Sequence, residues 1–285
     1  MRRDAVLSRM SGFGEQGERA LPVVSTKLAP PPVEESDVRR PRLDALLSQG
    51  TEGAVTLVCA GPGSGKSRAV AGWLAAGTTD RAVAWLTLDE TDNDVPTFWL
   101  DVLAALNASS ALRPDNPLRD MVPTGRFGAG EIRRVQAGLE ELTGPLVFVF
   151  DDLDEVTNRE VLDGLSRLVE RPGPTLGLVL ISRAEPPLRL QRLRLSGRLC
   201  EIRAADLAFD RREAGELFAR SGLTLSAPQV RTLLERTEGW AAGLRLAAMS
   251  LARADPRAGA DQPRRTATAP AAPAAQRAAL RDPRS

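Results

Sequence analysis

Residues 60–67 read AGPGSGKS, placing three glycines, a lysine and a hydroxyl within eight positions. Against the phosphate-cradle pattern Gly-x-x-x-x-Gly-Lys-Ser/Thr, Gly65, Lys66 and Ser67 match and Ala60 stands in for the first glycine. Gly61, Gly63 and Gly65 let the backbone turn with no Cβ in the way, so that successive N–H groups can point at phosphate oxygens. Lys66 would neutralise the β and γ phosphates, and the Ser67 hydroxyl would ligate Mg²⁺. The cradle would run through Ala60, Gly61, Pro62, Gly63, Ser64, Gly65, Lys66, Ser67 and Arg68. Lys27 and Lys66 are the only lysines, every other basic side chain being arginine, and a planar guanidinium replaces a compact ammonium poorly inside a closed loop. A glycine-rich turn that binds nothing is the alternative.

Two other stretches could complete the chemistry. PLVFVFDDLDEV ends an apolar run on Asp151 and Asp152. Asp151, at the C-terminal end of a strand, would hold Mg²⁺ through a water, and Asp152 could polarise an attacking water; a solvated turn is the duller reading. LVLISRAEPPLRL ends another apolar run at Ser182 and Arg183. Arg183 would sense a γ phosphate from the same sheet edge, or merely pair with Glu185 at the surface.

Composition narrows the rest. With no histidine there is no imidazole base, no Ser-His-Asp system and no histidine metal ligand. Cys59 and Cys200 are too few for a structural zinc site or a disulfide framework. Carboxylates, arginines, hydroxyls and backbone amides remain, an inventory suited to phosphoryl chemistry. A net charge of +1 makes no global case for nucleic acid or membrane. The N-terminus lacks the continuous apolar core of a signal peptide and no run reaches membrane-spanning length, so a reducing cytoplasm is expected.

These residues need elements to hold them. Strand-like runs fall at 55–60, 82–88, 146–151, 176–182 and 199–204, separated by helical patterns such as GEIRRVQAGLEEL, where Ile132, Val135 and Leu139 recur at helical spacing. Runs apolar at consecutive positions read as parallel strands covered on both faces. After Leu207 the strands cease, and 210–222 and 227–254 are helically periodic. The expected organisation is an arm at 1–26, an α/β domain at 27–207 with a mostly parallel five-stranded sheet in three α/β/α layers, a helical lid at 208–254, and a disordered tail at 255–285 rich in Ala, Pro and Arg.

From about Lys27 to Ala252 the sequence resembles the MalT-like branch of the STAND ATPases, large bacterial transcription regulators with a nucleotide switch and usually a LuxR-type DNA-binding domain. TKLAPPPVEESDVRRPRL is similar to the family's lead-in segment, which implies that Val38 and Arg39 lie near the adenine. AGPGSGKSRAV is similar to its P-loop, AVAWLTLDETDNDVPTFWLDVLAAL to the strand-helix unit that follows, FDDLDEV to its Mg²⁺ strand, SRAEPPLRLQRLRLSGRLCEIRAADLAF to its sensor strand and linker, and TEGWAAGLRLAAMSL to the close of its lid. Arg68 departs from the family's threonine, and Asp154 from a position often held by histidine. No winged helix, helical repeats or helix-turn-helix are recognisable.

The resemblance implies an ATP/ADP-binding switch with Mg²⁺, slow or absent hydrolysis and homo-oligomerisation on ATP binding, truncated after the nucleotide-binding domain. Direct DNA binding by this stretch is not expected: Arg264 and Arg265 make a weak footprint and no recognition helix is visible. A metabolic P-loop kinase, with Arg189, Arg192 and Arg194 at an acceptor site, is the runner-up. A non-functional remnant is the third reading.

Overall fold

The computed structural model describes residues 24–254 apart from 54, 78, 124–126 and 174, so residues 1–23 of the arm expected at 1–26, and the tail at 255–285, lie outside the described residues. Continuous apolar runs become the sheet. β1 (Val55–Cys59), β3 (Leu146–Asp151) and β4 (Leu176–Ser182) are buried at every position, while β2 (Ala82–Thr87) and β5 (Leu199–Arg203) are partly exposed. The strand order is β2-β3-β4-β1-β5, which puts the two half-exposed strands at the edges. Every neighbouring pair is parallel. The sheet expected as mostly parallel is thus wholly parallel, its strand ends within a residue of those read from the sequence.

Parallel strands need crossovers, and helices supply them. α1 (Pro41–Gly53) precedes β1 and α2 (Lys66–Ala75) follows it. α3 (Val95–Ala108) and α4 (Ala129–Glu140) lie between β2 and β3, α5 (Arg159–Glu170) between β3 and β4, and α6 (Gln191–Leu195) before β5. Alternation along β3 shows the layers. Leu146, Phe148 and Phe150 pack with α3, α4 and α5, whereas Val147 and Val149 pack with α1 and α2. Phe148 stacks on Phe150 and Trp99 on Phe127, each at 4.3 Å between ring centroids. Burying each phenylalanine ring contributes roughly 1.5–3 kcal/mol. Asp94 starts α3 by accepting the Thr97 N–H, with Pro96 in the first turn, and so fixes the helix that carries Phe98 and Trp99.

The order of strands also makes a crevice. The chain leaves β1 for the far edge at β2, and returns past β1 when it passes from β4 to β5. The C-terminal ends of β1, β3 and β4 therefore open on a switch point where ligands can be held by the loops. Ahead of the sheet, Lys27 in a 3-10 turn (Ser25–Leu28) pins the lead-in: its Nζ lies 2.7 Å from Asp92, 2.9 Å from Asp101 and 3.4 Å from Asp89.

After β5 come α7 (Ala204–Leu207), α8 (Arg211–Arg220), α9 (Ala227–Thr237) and α10 (Ala241–Ala254). The last three share a small core of Leu217, Phe218, Leu223, Val230 and Leu244. Residues 227–254, periodic throughout in sequence, do not form one helix. The chain breaks at Glu238 and Gly239, both left-handed with φ of 51° and 72°. A Cβ at Gly239 would come within 2.8 Å of the Phe209 carbonyl oxygen, so glycine is required there and the break redirects α10 toward the β1–α2 loop.

Candidate nucleotide site

β1 delivers Ala60 to the crevice, and α2 begins six residues later at Lys66. Gly63 and Gly65 turn the loop with φ of 70° and 82°, values that cost a residue with a Cβ about 1–2 kcal/mol. Five of the loop's carbonyls are held. Lys66 Nζ donates to Ala60 O at 2.9 Å and Gly61 O at 3.2 Å, and Ser64 Oγ donates to Gly61 O at 2.7 Å. Trp240 Nε1 donates to Pro62 O at 3.1 Å, the Ala242 N–H to Gly63 O at 3.0 Å, and the Ala69 N–H to Gly65 O at 2.9 Å. The N–H groups of Gly63, Ser64, Gly65, Lys66 and Ser67 donate to no other described residue. A row of unspent donors at a helix N-terminus, with the acceptors turned away, suits an anion of several oxygens.

Burial pulls the Lys66 ammonium below its ordinary pKa, with the charges of Asp154 and Asp152 working against the shift. Ser67 Oγ donates to Asp151 Oδ1 at 2.8 Å. A hydroxyl that donates its proton to Asp151 keeps its lone pairs free, so Ser67 would be a direct ligand of Mg²⁺ and Asp151 would hold the ion through a water. Among the described residues no three Cys, Asp or Glu side chains are grouped to hold a metal alone. Mg²⁺ commonly binds through one or two protein oxygens plus phosphate, and this donor set fits that mode. The Asp151 carboxyl is pushed up to about 6, chiefly by burial and further by Asp152, against the Ser67 hydrogen bond.

Asp152 sits in a left-handed turn, φ 53°, with its N–H on Asp151 Oδ1 at 3.0 Å. Arg183 does not pair with Glu185, the duller possibility read from sequence. Its guanidinium faces Asp154 at 3.4 Å, Glu155 at 3.5 Å and Asp152 at 3.9 Å. Glu185 is taken by Arg194 and Arg203, because α6 and β5 bring those arginines to it. Arg189 pairs with Asp163, and Arg194 also with Glu201, so two of the three arginines imagined for a kinase acceptor are committed to carboxylates.

A cavity of about 270 Å³ lies beside the loop, lined by Val33, Asp37, Val38 and Arg39 of the lead-in, Gly65, Arg68 and Gly72 near α2, and Phe209, Leu217, Ala241 and Arg245 of the lid. Val38 and Arg39 thus line the same cavity as Gly65. Arg68 turns to the lead-in, pairing with Glu34 and Asp37, and Arg245 of α10 shares Asp37 and takes Ser36 Oγ. Sequence reasoning missed Arg245 and Phe209 as parts of this wall, and Trp240 as a contact of the loop itself. Trp240 was legible only as a large apolar residue within a helically periodic stretch. It also missed Arg40 and Arg42, whose partner Glu213 lies more than 170 residues away.

A parallel sheet with this loop, this lysine and a strand-end carboxylate defines a P-loop ATPase domain. Comparison with known proteins gives its relatives. The chain is 30% identical over 233 residues to the HTH-type transcriptional regulator MalT of Serratia proteamaculans (strain 568), a match covering 80% of this chain and 25% of that protein. It is 32% identical over 249 residues to the serine/threonine-protein kinase PknK of Mycobacterium tuberculosis (strain ATCC 25618 / H37Rv), covering 85% and 22%. The chain spans about a quarter of the length of these relatives. No family model matches it. Among solved structures, Drosophila ORC bound to DNA superposes with a TM-score of 0.50 at 16% identity, over 85% of this chain and 66% of that one, a likeness of fold alone. The MalT-like STAND ATPases that the sequence resembles are therefore its relatives. Among the described residues no helix is long and apolar enough to cross a membrane.

Proposed function

We propose that residues 27–254 are a nucleotide-operated switch in which an ATP/ADP pair governs how the lid at 208–254 sits on the α/β domain at 27–207. One observation carries the reading: the cavity beside the phosphate cradle is walled jointly by the lead-in, by α2 and by the lid, so a ligand filling it touches all three. The adenine would lie against Val38, Arg39 and Phe209, and the phosphates against Gly61 to Ser67. Ser67 and Asp151 would hold Mg²⁺, which supplies charge neutralisation to the phosphates. Asp152 would orient a water and Arg183 would sense the terminal phosphate. Turnover is slow on this reading, because product leaves only when the lid lets go of Pro62 and Gly63. The cytoplasm, homo-oligomerisation on ATP binding, and DNA binding carried by other domains complete the proposal.

The test is calorimetric titration with ADP and a non-hydrolysable ATP analogue, with and without Mg²⁺. Lys66→Ala should weaken both by ten- to a hundredfold, the worth of a charge-assisted contact. Equal affinity in the variant and the parent would overturn the site.

A further inference from the structure

Arg183, the arginine read as facing the phosphate position, has a counter-ion that the family resemblance marks only as a departure. Asp154 Oδ1 accepts the Arg183 N–H at 2.8 Å, and its Oδ2 lies 3.4 Å from Arg183 Nε. The Arg183 guanidinium donates no hydrogen bond to another described residue, its three ion pairs all lying between 3.4 and 3.9 Å. It is held by charge with its donors unspent. Asp154 Oδ1 also accepts from Ser182 Oγ at 3.5 Å, so the end of β4 holds the carboxylate beside Arg183.

We propose that Asp154 is a positioning and discriminating residue: it holds Arg183 at the crevice and stands in electrically for a terminal phosphate, so that a triphosphate must displace its charge and a diphosphate need not. The inference rests on the nucleotide site proposed above. Its physics is competition. A γ phosphate between Lys66 and Arg183 gains two cations but meets the Asp154 carboxylate, whereas a β phosphate on Lys66 alone meets less of it. The ratio of ATP to ADP affinity is then set partly by a side chain that touches neither the base nor the metal.

Asp154→Asn keeps an oxygen for the Arg183 N–H and removes the charge; Asp154→Ala removes both. In calorimetry at constant Mg²⁺, the asparagine variant should favour the non-hydrolysable ATP analogue over ADP about tenfold more than the parent does. Adding Arg183→Gln should erase that gain, and Asp154→Glu should restore the parental ratio. Should the asparagine variant fold poorly, the alanine variant reads the same ratio. A parent that binds both nucleotides, with a ratio that neither variant moves or that both move toward ADP, overturns the role of Asp154 alone. A parent that binds neither overturns the site as well.

Discussion

Asp151 is the residue at which burial and chemistry oppose each other. Its carboxyl is 4% exposed, accepts from Ser67 Oγ and from the Asp152 N–H, and has a pKa near 6 instead of 3.8. The folded chain thus keeps this proton to higher pH than the unfolded chain. Between about pH 4 and 6 it binds more protons than the unfolded chain, so stability falls as pH rises through that window. The penalty above pH 6 is on the order of 1–3 kcal/mol. A bound divalent cation offsets it. Asp151→Asn should raise the unfolding temperature of the nucleotide-free protein at pH 7.5 by a few degrees, because the amide oxygen still accepts from Ser67 and no charge is buried. The parent's Mg²⁺-dependent gain in nucleotide affinity should grow from pH 5 to 7 with a midpoint near 6, and be flat in the variant. Scanning calorimetry showing a variant less stable than its parent at pH 7.5 would contradict this account. The position of Asp151 was legible in the sequence, since a short apolar run ending in carboxylates reads as a strand end. Its shifted proton affinity was not, because that depends on Ser67 and on burial by elements far along the chain.

The phosphate cradle and α10 act as a single element although 178 residues separate Pro62 from Trp240. Gly63 is where they touch: a Cβ there would lie 2.8 Å from the Ala242 Cβ and 2.9 Å from the Trp240 ring, at a φ of 70° that disfavours any side chain. Gly61 has nothing within 4 Å of such a Cβ and no positive φ. Gly63→Ala should therefore push α10 off the loop, seen as at least tenfold faster hydrogen exchange at the Ala242 amide, with about 1–2 kcal/mol of added backbone strain. Gly61→Ala should leave that amide protected, and equal protection in both would mean that the loop does not seat the lid. The strands themselves were readable within a residue because short β-rich runs, unbroken and apolar in β3 and β4, alternate with helical patterns. What escaped was the break inside 227–254. A glutamate in the left-handed region is rare, and only the close approach of Phe209 to Gly239 explains why the helix must stop.

At the scale of the molecule, the lid is fastened by a charge pair that no local pattern announces. Glu213 is fully buried and receives Arg40 Nε at 3.1 Å and Arg42 Nε at 2.9 Å. Arg40 also donates to Leu207 O at 2.7 Å and Ala208 O at 3.1 Å, and its guanidinium lies 4.3 Å from the centre of the Phe209 ring. The start of α1 is thereby tied to the end of α7, to the turn after it and to α8. Its second fastening, Glu34 and Asp37 with Arg68 and Arg245, is largely exposed and is screened by salt. The two should fail differently. Removing Arg40 takes one of two arginines from the buried Glu213 and leaves it with the part-exposed Arg42, at a cost of about 1–3 kcal/mol, whereas the exposed network gives way gradually with ionic strength. Because the sheet has its own two cores and the lid a separate small one, the loss falls on the junction. Arg40→Ala should make the chain cleavable between Leu207 and Arg211 in limited proteolysis while the β-sheet fragment stays resistant. Saturating adenine nucleotide should slow that cleavage, since a ligand in the shared cavity holds lid and sheet together. Cleavage of sheet and lid at the same rate would show instead that Arg40 stabilises the chain as one undivided unit.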